Sequence, residues 1–171
     1  MSIETMTKLA TVTVGVGGAS SIDFTNIPQT YTDLKIVLSA RIDASYRQVI
    51  IKFNNSSSNY TLKMLRGDGA SAASFNESGF SYNMTGYAPL AGTDTASTFG
   101  NWELYMPNYT SSNYKSMSID AVQENNATAV YTWFQASLWS NTAAITSIKL
   151  TENGTGFVQY TTATLYGIKN S

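Results

Sequence analysis

The sequence predicts an all-β protein, an antiparallel β-sandwich for which a jelly roll is the favoured arrangement. Apolar and polar residues alternate with a period of two along most of the chain. Clusters of Gly, Asn, Ser and Pro separate the alternating runs, as turns do between strands. No segment carries apolar residues at helical spacing over three turns. An immunoglobulin-like sandwich has the same pattern and is the alternative fold.

Most of the predicted strands place their apolar residues on one face, with Lys, Arg, Ser or Thr on the other. The apolar faces of the successive strands carry Val12, Val14 and Val16; Leu34, Ile36, Leu38, Ala40 and Ile42; Val49, Ile51 and Phe53; Tyr60, Leu62 and Met64; Trp102, Leu104 and Met106; Met117, Ile119 and Ala121. We expect these faces to form the core between two sheets.

Two segments, residues 130–139 and residues 160–168, are apolar on both faces. In the first, we predict that Phe134 and Leu138 point inward. The opposite face of that strand carries Tyr131, Trp133 and Trp139. Strands of this kind are central in a sheet, or they turn one face into an interface.

Alternation weakens in residues 67–99, where Gly, Ala, Ser and Thr are frequent. This length exceeds an ordinary hairpin loop, so we predict a long insertion with one or two short strands around residues 79–89. It is either a contact loop or a packed loop. Residues 1–8 precede the first strand and are predicted to form an N-terminal arm. Residues 9–171 then make one sandwich domain of ordinary size.

The composition argues against catalysis and against a bound cofactor. The chain has no His and no Cys, so it lacks a near-neutral general base, a thiolate, a disulfide and the usual zinc ligands. Its eleven Asp and Glu form neither a calcium loop nor an evident pair. We therefore expect a protein that is not an enzyme. The integrin-type tripeptide at residues 66–68 is short enough to arise by chance.

Charge and hydropathy also limit the partners. The ten Lys and Arg are scattered and the net charge is -1, which disfavours nucleic acid. The sequence contains no run of about 20 apolar residues, which is the length that a membrane-spanning helix needs. Only 12% of the residues are charged, which suits dense packing beside neighbouring subunits. The aromatic candidates for contacts with subunits or with glycans are Tyr82, Tyr87, Tyr131, Trp133 and Trp139.

Several strings resemble a group of virion proteins of tailed phages, many of them marine phages and cyanophages. They are residues 22–34 (IDFTNIPQTYTDL), 51–54 (IKFN), 106–109 (MPNY), 124–126 (ENN), 138–148 (LWSNTAAITSI) and 163–168 (ATLYGI). The resemblance extends from about residue 8 to the C-terminus, and nothing in residues 67–99 matches. It implies a capsid decoration protein, a head fibre or a tail-fibre domain, and it brings no catalytic residues.

Within that group, a compact domain of this size fits a capsid decoration, or cement, protein on the outer face of the head. The resemblance implies a homotrimer made in the host cytoplasm, with the major capsid protein as its partner. The candidate capsid contacts are the apolar residues Ile3, Met6 and Leu9 at the start of the chain. The alternative is a tail-fibre or head-fibre domain that recognises host-surface glycans through exposed aromatic residues.

Overall fold

A computed structural model describes residues 5–43, 48–80, 83–84, 94–125, 131–152, 154 and 156–170. These residues form twelve strands and no helix. The strands are β1 (Met6–Thr13), β2 (Ser21–Phe24), β3 (Asp33–Ala40), β4 (Val49–Phe53), β5 (Tyr60–Gly67), β6 (Ala72–Phe80), β7 (Asn83–Met84), β8 (Gly100–Met106), β9 (Lys115–Gln123), β10 (Tyr131–Trp139), β11 (Ile148–Glu152) and β12 (Thr162–Ile168).

The strands form two antiparallel sheets, which confirms the predicted β-sandwich. The larger sheet has eight strands in the order β1-β12-β3-β8-β9-β10-β5-β6. The smaller sheet has the order β2-β11-β4-β7. Every strand pair is antiparallel.

The strand order is that of a jelly roll with additions to the larger sheet. From β2 onward the chain alternates between the sheets: β2, β4, β7 and β11 lie in the smaller one, and the strands between them lie in the larger one. The meander β8-β9-β10 occupies the place of a single strand between β3 and β5. Strands β12 and β1 then extend the larger sheet beyond β3.

The core lies between the facing sides of the two sheets. Most of the predicted inward residues are fully buried: Ile36, Leu38, Val49, Ile51, Phe53, Leu62, Leu104 and Ile119. The smaller sheet adds Ile22, Phe24, Ile148 and Leu150 to the same apolar cluster. Val16 is the exception among the alternating faces, because it lies in the turn after β1 and is exposed.

The prediction for β10 was wrong about which face points inward. Trp133 and Trp139 are 3% and 1% exposed, whereas Phe134 is 55% exposed and Leu138 is half-buried. Trp139 packs in the core with its ring centroid 5.6 Å from that of Phe53. Burying the indoles removes more apolar surface from water than burying the opposite face would.

The region of residues 67–99 contains more regular structure than the sequence indicated. Strand β6 is nine residues long and pairs with β5, and the two-residue β7 pairs with β4. Both belong to the jelly-roll order rather than to an insertion. The alternation is weak along Ser74 to Gly79, where every residue is exposed. Residues 81–82 and 85–93 lie outside the described residues.

Strand β1 also begins earlier than the predicted arm allowed. Residues 6–8 belong to β1, which pairs with β12 at the edge of the larger sheet. An arm would have to lie before Met6, and residues 1–4 are outside the described part of the chain.

Two side chains fasten the loops at one end of the sandwich. Lys115 is fully buried, and its Nζ donates to the carbonyl oxygens of Ser111 at 2.8 Å and Asn113 at 2.5 Å. A third carbonyl, that of Asn141, lies 3.5 Å away. Asn54 accepts hydrogen bonds from the backbone N–H groups of Thr146 and Ser147. These contacts join the β4–β5, β8–β9 and β10–β11 loops.

Candidate interaction surface

The outer face of the eight-stranded sheet is a broad surface that the smaller sheet does not cover. Strand pairing places one row of outward residues across all eight strands: Thr11, Thr164, Val37, Glu103, Asp120, Phe134, Leu65 and Ser74. The neighbouring row contains no charged residue: Thr13, Thr162, Ser39, Asn101, Val122, Thr132, Gly67 and Ala72. Small polar residues fill half of the positions in these two rows. The row on the other side carries Lys8, Lys35 and Lys63.

An apolar patch lies where β10, β5 and β6 meet. Leu65 and Phe134 are 54% and 55% exposed and stand directly opposite each other. They line a groove of about 470 Å³ together with Ala136, Ser74 and the stem of Lys63. A second groove of about 420 Å³ shares Lys63 and Ala136, so the depression continues along the three strands. We call this region the β10–β5–β6 patch.

The few charges on the outer face are partly neutralised. Lys35 Nζ lies 2.8 Å from a carboxylate oxygen of Glu103. Asp120 stands opposite Glu103 on the adjacent strand, an unfavourable like-charge pair that the lysine offsets. Lys63 Nζ donates to the side-chain oxygen of Asn76 at 3.2 Å. The Lys35–Glu103 ion pair is partly exposed, so it contributes at most about 1 kcal/mol to the stability of the fold.

A buried carboxylate supports one end of the same face. Asp33 accepts hydrogen bonds from the Tyr105 hydroxyl at 2.7 Å, the Asn108 backbone N–H at 2.9 Å and the Asn170 side chain at 2.8 Å. The hydrogen bond to Asp33 raises the pKa of Tyr105 above its ordinary value. Asp33 therefore fixes loops rather than offering a free acid for chemistry.

A cluster of aromatic rings surrounds one arginine on the inner face of strands β10 and β5, opposite the β10–β5–β6 patch. The guanidinium carbon of Arg66 lies 5.5 Å from the ring centroid of Phe75, 5.3 Å from that of Tyr131 and 5.7 Å from that of Trp133. Such distances permit cation–π attraction. Two of the predicted contact residues, Tyr131 and Trp133, are thus engaged within the chain.

The remaining sequence-predicted site residues are scattered rather than gathered at one site. Trp139 is in the core, and Tyr131 is half-buried. Tyr82, Tyr87 and Ile3 lie outside the described residues. Met6 is 44% exposed in β1, while Leu9 packs against the core.

The exposed pair of Leu65 and Phe134 was missed as a contact site. Phe134 was predicted to be buried, and Leu65 occupies the polar phase of the β5 alternation. An apolar residue at an outward phase was the signal that could have identified this patch.

The Asp of the tripeptide at residues 66–68 is used in the β5–β6 turn. Its carboxylate accepts hydrogen bonds from the N–H groups of Ala70 at 3.1 Å and Ser71 at 2.8 Å. These bonds hold the pKa of Asp68 below its usual value. The carboxylate is therefore part of the turn, which disfavours its use as a receptor ligand.

The described residues contain no group of three or more acidic side chains placed to hold a metal ion. They also contain no helix long and apolar enough to cross a membrane.

Burial raises the pKa of Glu152, against an opposing hydrogen bond from the Gly156 backbone.

No protein-family model matches the chain, and a search of curated proteins gives no significant match.

Proposed function

We propose that the chain is a structural protein of a phage virion, and specifically a decoration protein that binds the outer face of the assembled capsid. The observation that carries the proposal is the broad, weakly charged outer face of the eight-stranded sheet with its exposed Leu65 and Phe134. The sequence resemblance to tailed-phage virion proteins supports the same class. We propose a mechanical role rather than a catalytic one.

The energetics of such a surface favour contact with another protein. Removing apolar area from water stabilises a complex by about 25 cal/mol per Å². Removing unpaired charges from water costs several kcal/mol each, and this face carries few of them. Small Ser and Thr side chains also permit close approach and can hydrogen-bond to a partner backbone. A cement protein needs this combination because it must cover the boundaries between capsid subunits.

A homotrimer remains part of the proposal. A stable interface between protein subunits buries on the order of 1,200–2,000 Å² in total. The resemblance to tailed-phage virion proteins supports this oligomeric state, and the low charge of the chain suits packing beside other copies.

Rebinding to virions that have been stripped of this protein tests the proposal. We would compare the unchanged chain with a variant carrying Leu65→Lys and Phe134→Lys. The matched control carries Tyr114→Lys and Tyr160→Lys, which adds the same charge at exposed positions outside the strands. We expect the unchanged chain and the control to bind, and the patch variant to lose at least about tenfold in affinity.

Failure of the unchanged chain to bind capsids, together with its retention on host polysaccharide, would favour the fibre alternative. A truncation lacking residues 1–5 tests the proposed contact through Ile3. This truncation leaves β1 intact, whereas removal of residues 1–8 would delete part of that strand.

A further inference from the structure

We propose that the free edge of β6 is a docking site for a second copy of this chain. The two β6 strands would pair in antiparallel fashion about a two-fold axis, joining two eight-stranded sheets into one continuous sheet. The position, exposure and chemistry of β6 distinguish it from the other sheet edges.

Strand β6 is the last strand of the larger sheet and pairs with β5. Within the described part of the chain, no strand pairs with its other edge. The residues from Ser74 to Gly79 are exposed. An edge strand presents backbone N–H and C=O groups that form a template for another strand. Nine residues give a template about 30 Å long.

The other edge strands are very short or carry features that natural proteins use to prevent such pairing. Strand β7, at one edge of the smaller sheet, has only two residues. Strand β1 has an exposed Lys8 and a register irregularity between Lys8 and Ala10. Strand β2 is only four residues long, and its exposed Asp23 forms an ion pair with Lys149, with 3.1 Å between Oδ1 and Nζ. Strand β6 has no Lys, Arg or Pro, and Glu77 is its single charged residue. Its register irregularity is confined to the end near Tyr60.

A second copy of β6 is a chemically suitable occupant of this edge. A two-fold axis through Asn76 would place Glu77 opposite the partner's Phe75, which avoids a like-charge pair. The outward side chains of Ser74, Asn76 and Ser78 are small and uncharged. An isologous contact needs only one self-complementary surface, so the same strand serves both copies. The β10–β5–β6 patch would continue across the joined sheet.

This contact goes beyond the proposed capsid role and does not depend on it. A two-fold contact joins copies in pairs, so in a trimeric protein it would connect one trimer to another. Capsid rebinding and β6 pairing are measured separately, and either can fail while the other holds.

The absence of cysteine makes a crosslinking scan unambiguous. Five variants each carry one change: Ser74→Cys, Phe75→Cys, Asn76→Cys, Glu77→Cys or Ser78→Cys. In an antiparallel pair, opposed Cα atoms are about 4.5–5.5 Å apart, which suits a disulfide. Only the residue at the two-fold axis faces its own copy. We expect one variant to form a disulfide dimer at least about tenfold faster than the others.

Thr13→Cys, on the exposed edge strand β1, is the control for random collision. Far-ultraviolet circular dichroism of each variant reports whether the sheet is retained. If all five β6 variants crosslink no faster than this control, or if only the control crosslinks, the proposal is overturned.

A second measurement does not require a disulfide. Sedimentation at micromolar concentration would compare the unchanged chain with a variant carrying Ser74→Lys and Ser78→Lys. The matched control carries Tyr114→Lys and Tyr160→Lys, which adds the same charge at exposed positions outside the strands. We expect only the β6 variant to lose the two-fold step of association, as a reduction of at least about tenfold in the association constant. Equal association of all three proteins would overturn the proposal.

Discussion

Leu65 and Phe134 lie directly opposite each other on β5 and β10, and both point away from the core. Their neighbours on the inner face of β10, Trp133 and Gln135, are buried. Two large apolar side chains therefore face solvent from strands whose other face is filled. Neither side chain adds buried apolar area to the core, and the first prediction follows from this.

Replacing Leu65 and Phe134 together by Thr should leave the unfolding free energy within about 0.5 kcal/mol per substitution, because surface changes seldom cost more. Thr also retains the preference for strand conformation. Urea unfolding followed by tryptophan fluorescence measures this quantity. A loss as large as that of a core truncation would show that the two side chains are buried in the folded protein.

Leu38→Ala supplies the contrast, because Leu38 is 0% exposed and packs between the sheets. Truncating a buried leucine removes apolar contact and leaves a cavity. We expect the unfolding free energy to fall by about 2–5 kcal/mol. The same urea titration reports the change, and a neutral result would contradict the assignment of the inner face of β3.

Gly167→Ala should be destabilising although the residue lies within a strand. An added Cβ would stand 2.5–2.7 Å from ring atoms of Tyr31, too close for van der Waals contact. Overpacking of this kind costs about 1–3 kcal/mol. In a double-mutant cycle, Tyr31→Ala should remove most of the additional penalty of Gly167→Ala. Additive losses in thermal unfolding would indicate that the ring does not pack across Gly167.

Lys115 should make stability depend on pH in the alkaline range. Burial lowers the pKa of its ammonium group below the ordinary value. Between the lowered and the ordinary pKa, the unfolded chain holds a proton that the folded chain has released. Raising the pH through this window therefore favours folding, and the gain is lost again as the pH falls through the folded pKa.

The control for this effect is Lys115→Met, which cannot titrate and retains a long apolar stem. Urea unfolding at about pH 8 and about pH 10.5 measures the difference in unfolding free energy between the two proteins. We expect that difference to move in favour of the unchanged chain at the higher pH. Taking the difference cancels the tyrosine contributions common to both proteins. A constant difference would contradict a lowered lysine pKa.

The alternation of residues predicted the strands and most of the core, but it could not decide every face. For β3 the polar phase contains Lys35 and Ser39, so only one face can be buried. For β10 both phases are apolar, and only the packing of Trp139 against Phe53 and Tyr60 decides between them. Period two identifies residues that share a face, whereas tertiary contacts select the face that turns inward.

Strand β6 is the other element that the alternation of residues could not predict. Its residues from Ser74 to Gly79 are exposed, although the Phe75 ring lies 5.7 Å from that of the buried Trp133, so the pattern that identifies half-buried strands is missing. The candidate interaction surface could not be predicted from the sequence either. The size of Trp133 and Trp139 suggests contact residues, but large aromatic side chains also fill a core efficiently. The exposed apolar residues of the patch are Leu65 and Phe134.

The first and last strands of the sandwich, β1 and β12, are hydrogen-bonded neighbours, with Met6 opposite Ile168. The backbone N–H of Lys169 also donates to the carbonyl oxygen of Thr5 at 2.9 Å. The two ends of the folded domain are thus already side by side, and a short flexible linker would close the backbone into a ring at little entropic cost. The chain could then be reopened at the exposed β5–β6 turn to give a circular permutant with the same sheets. In such a permutant β6 would begin the chain, and its free edge would lie beside a new terminus.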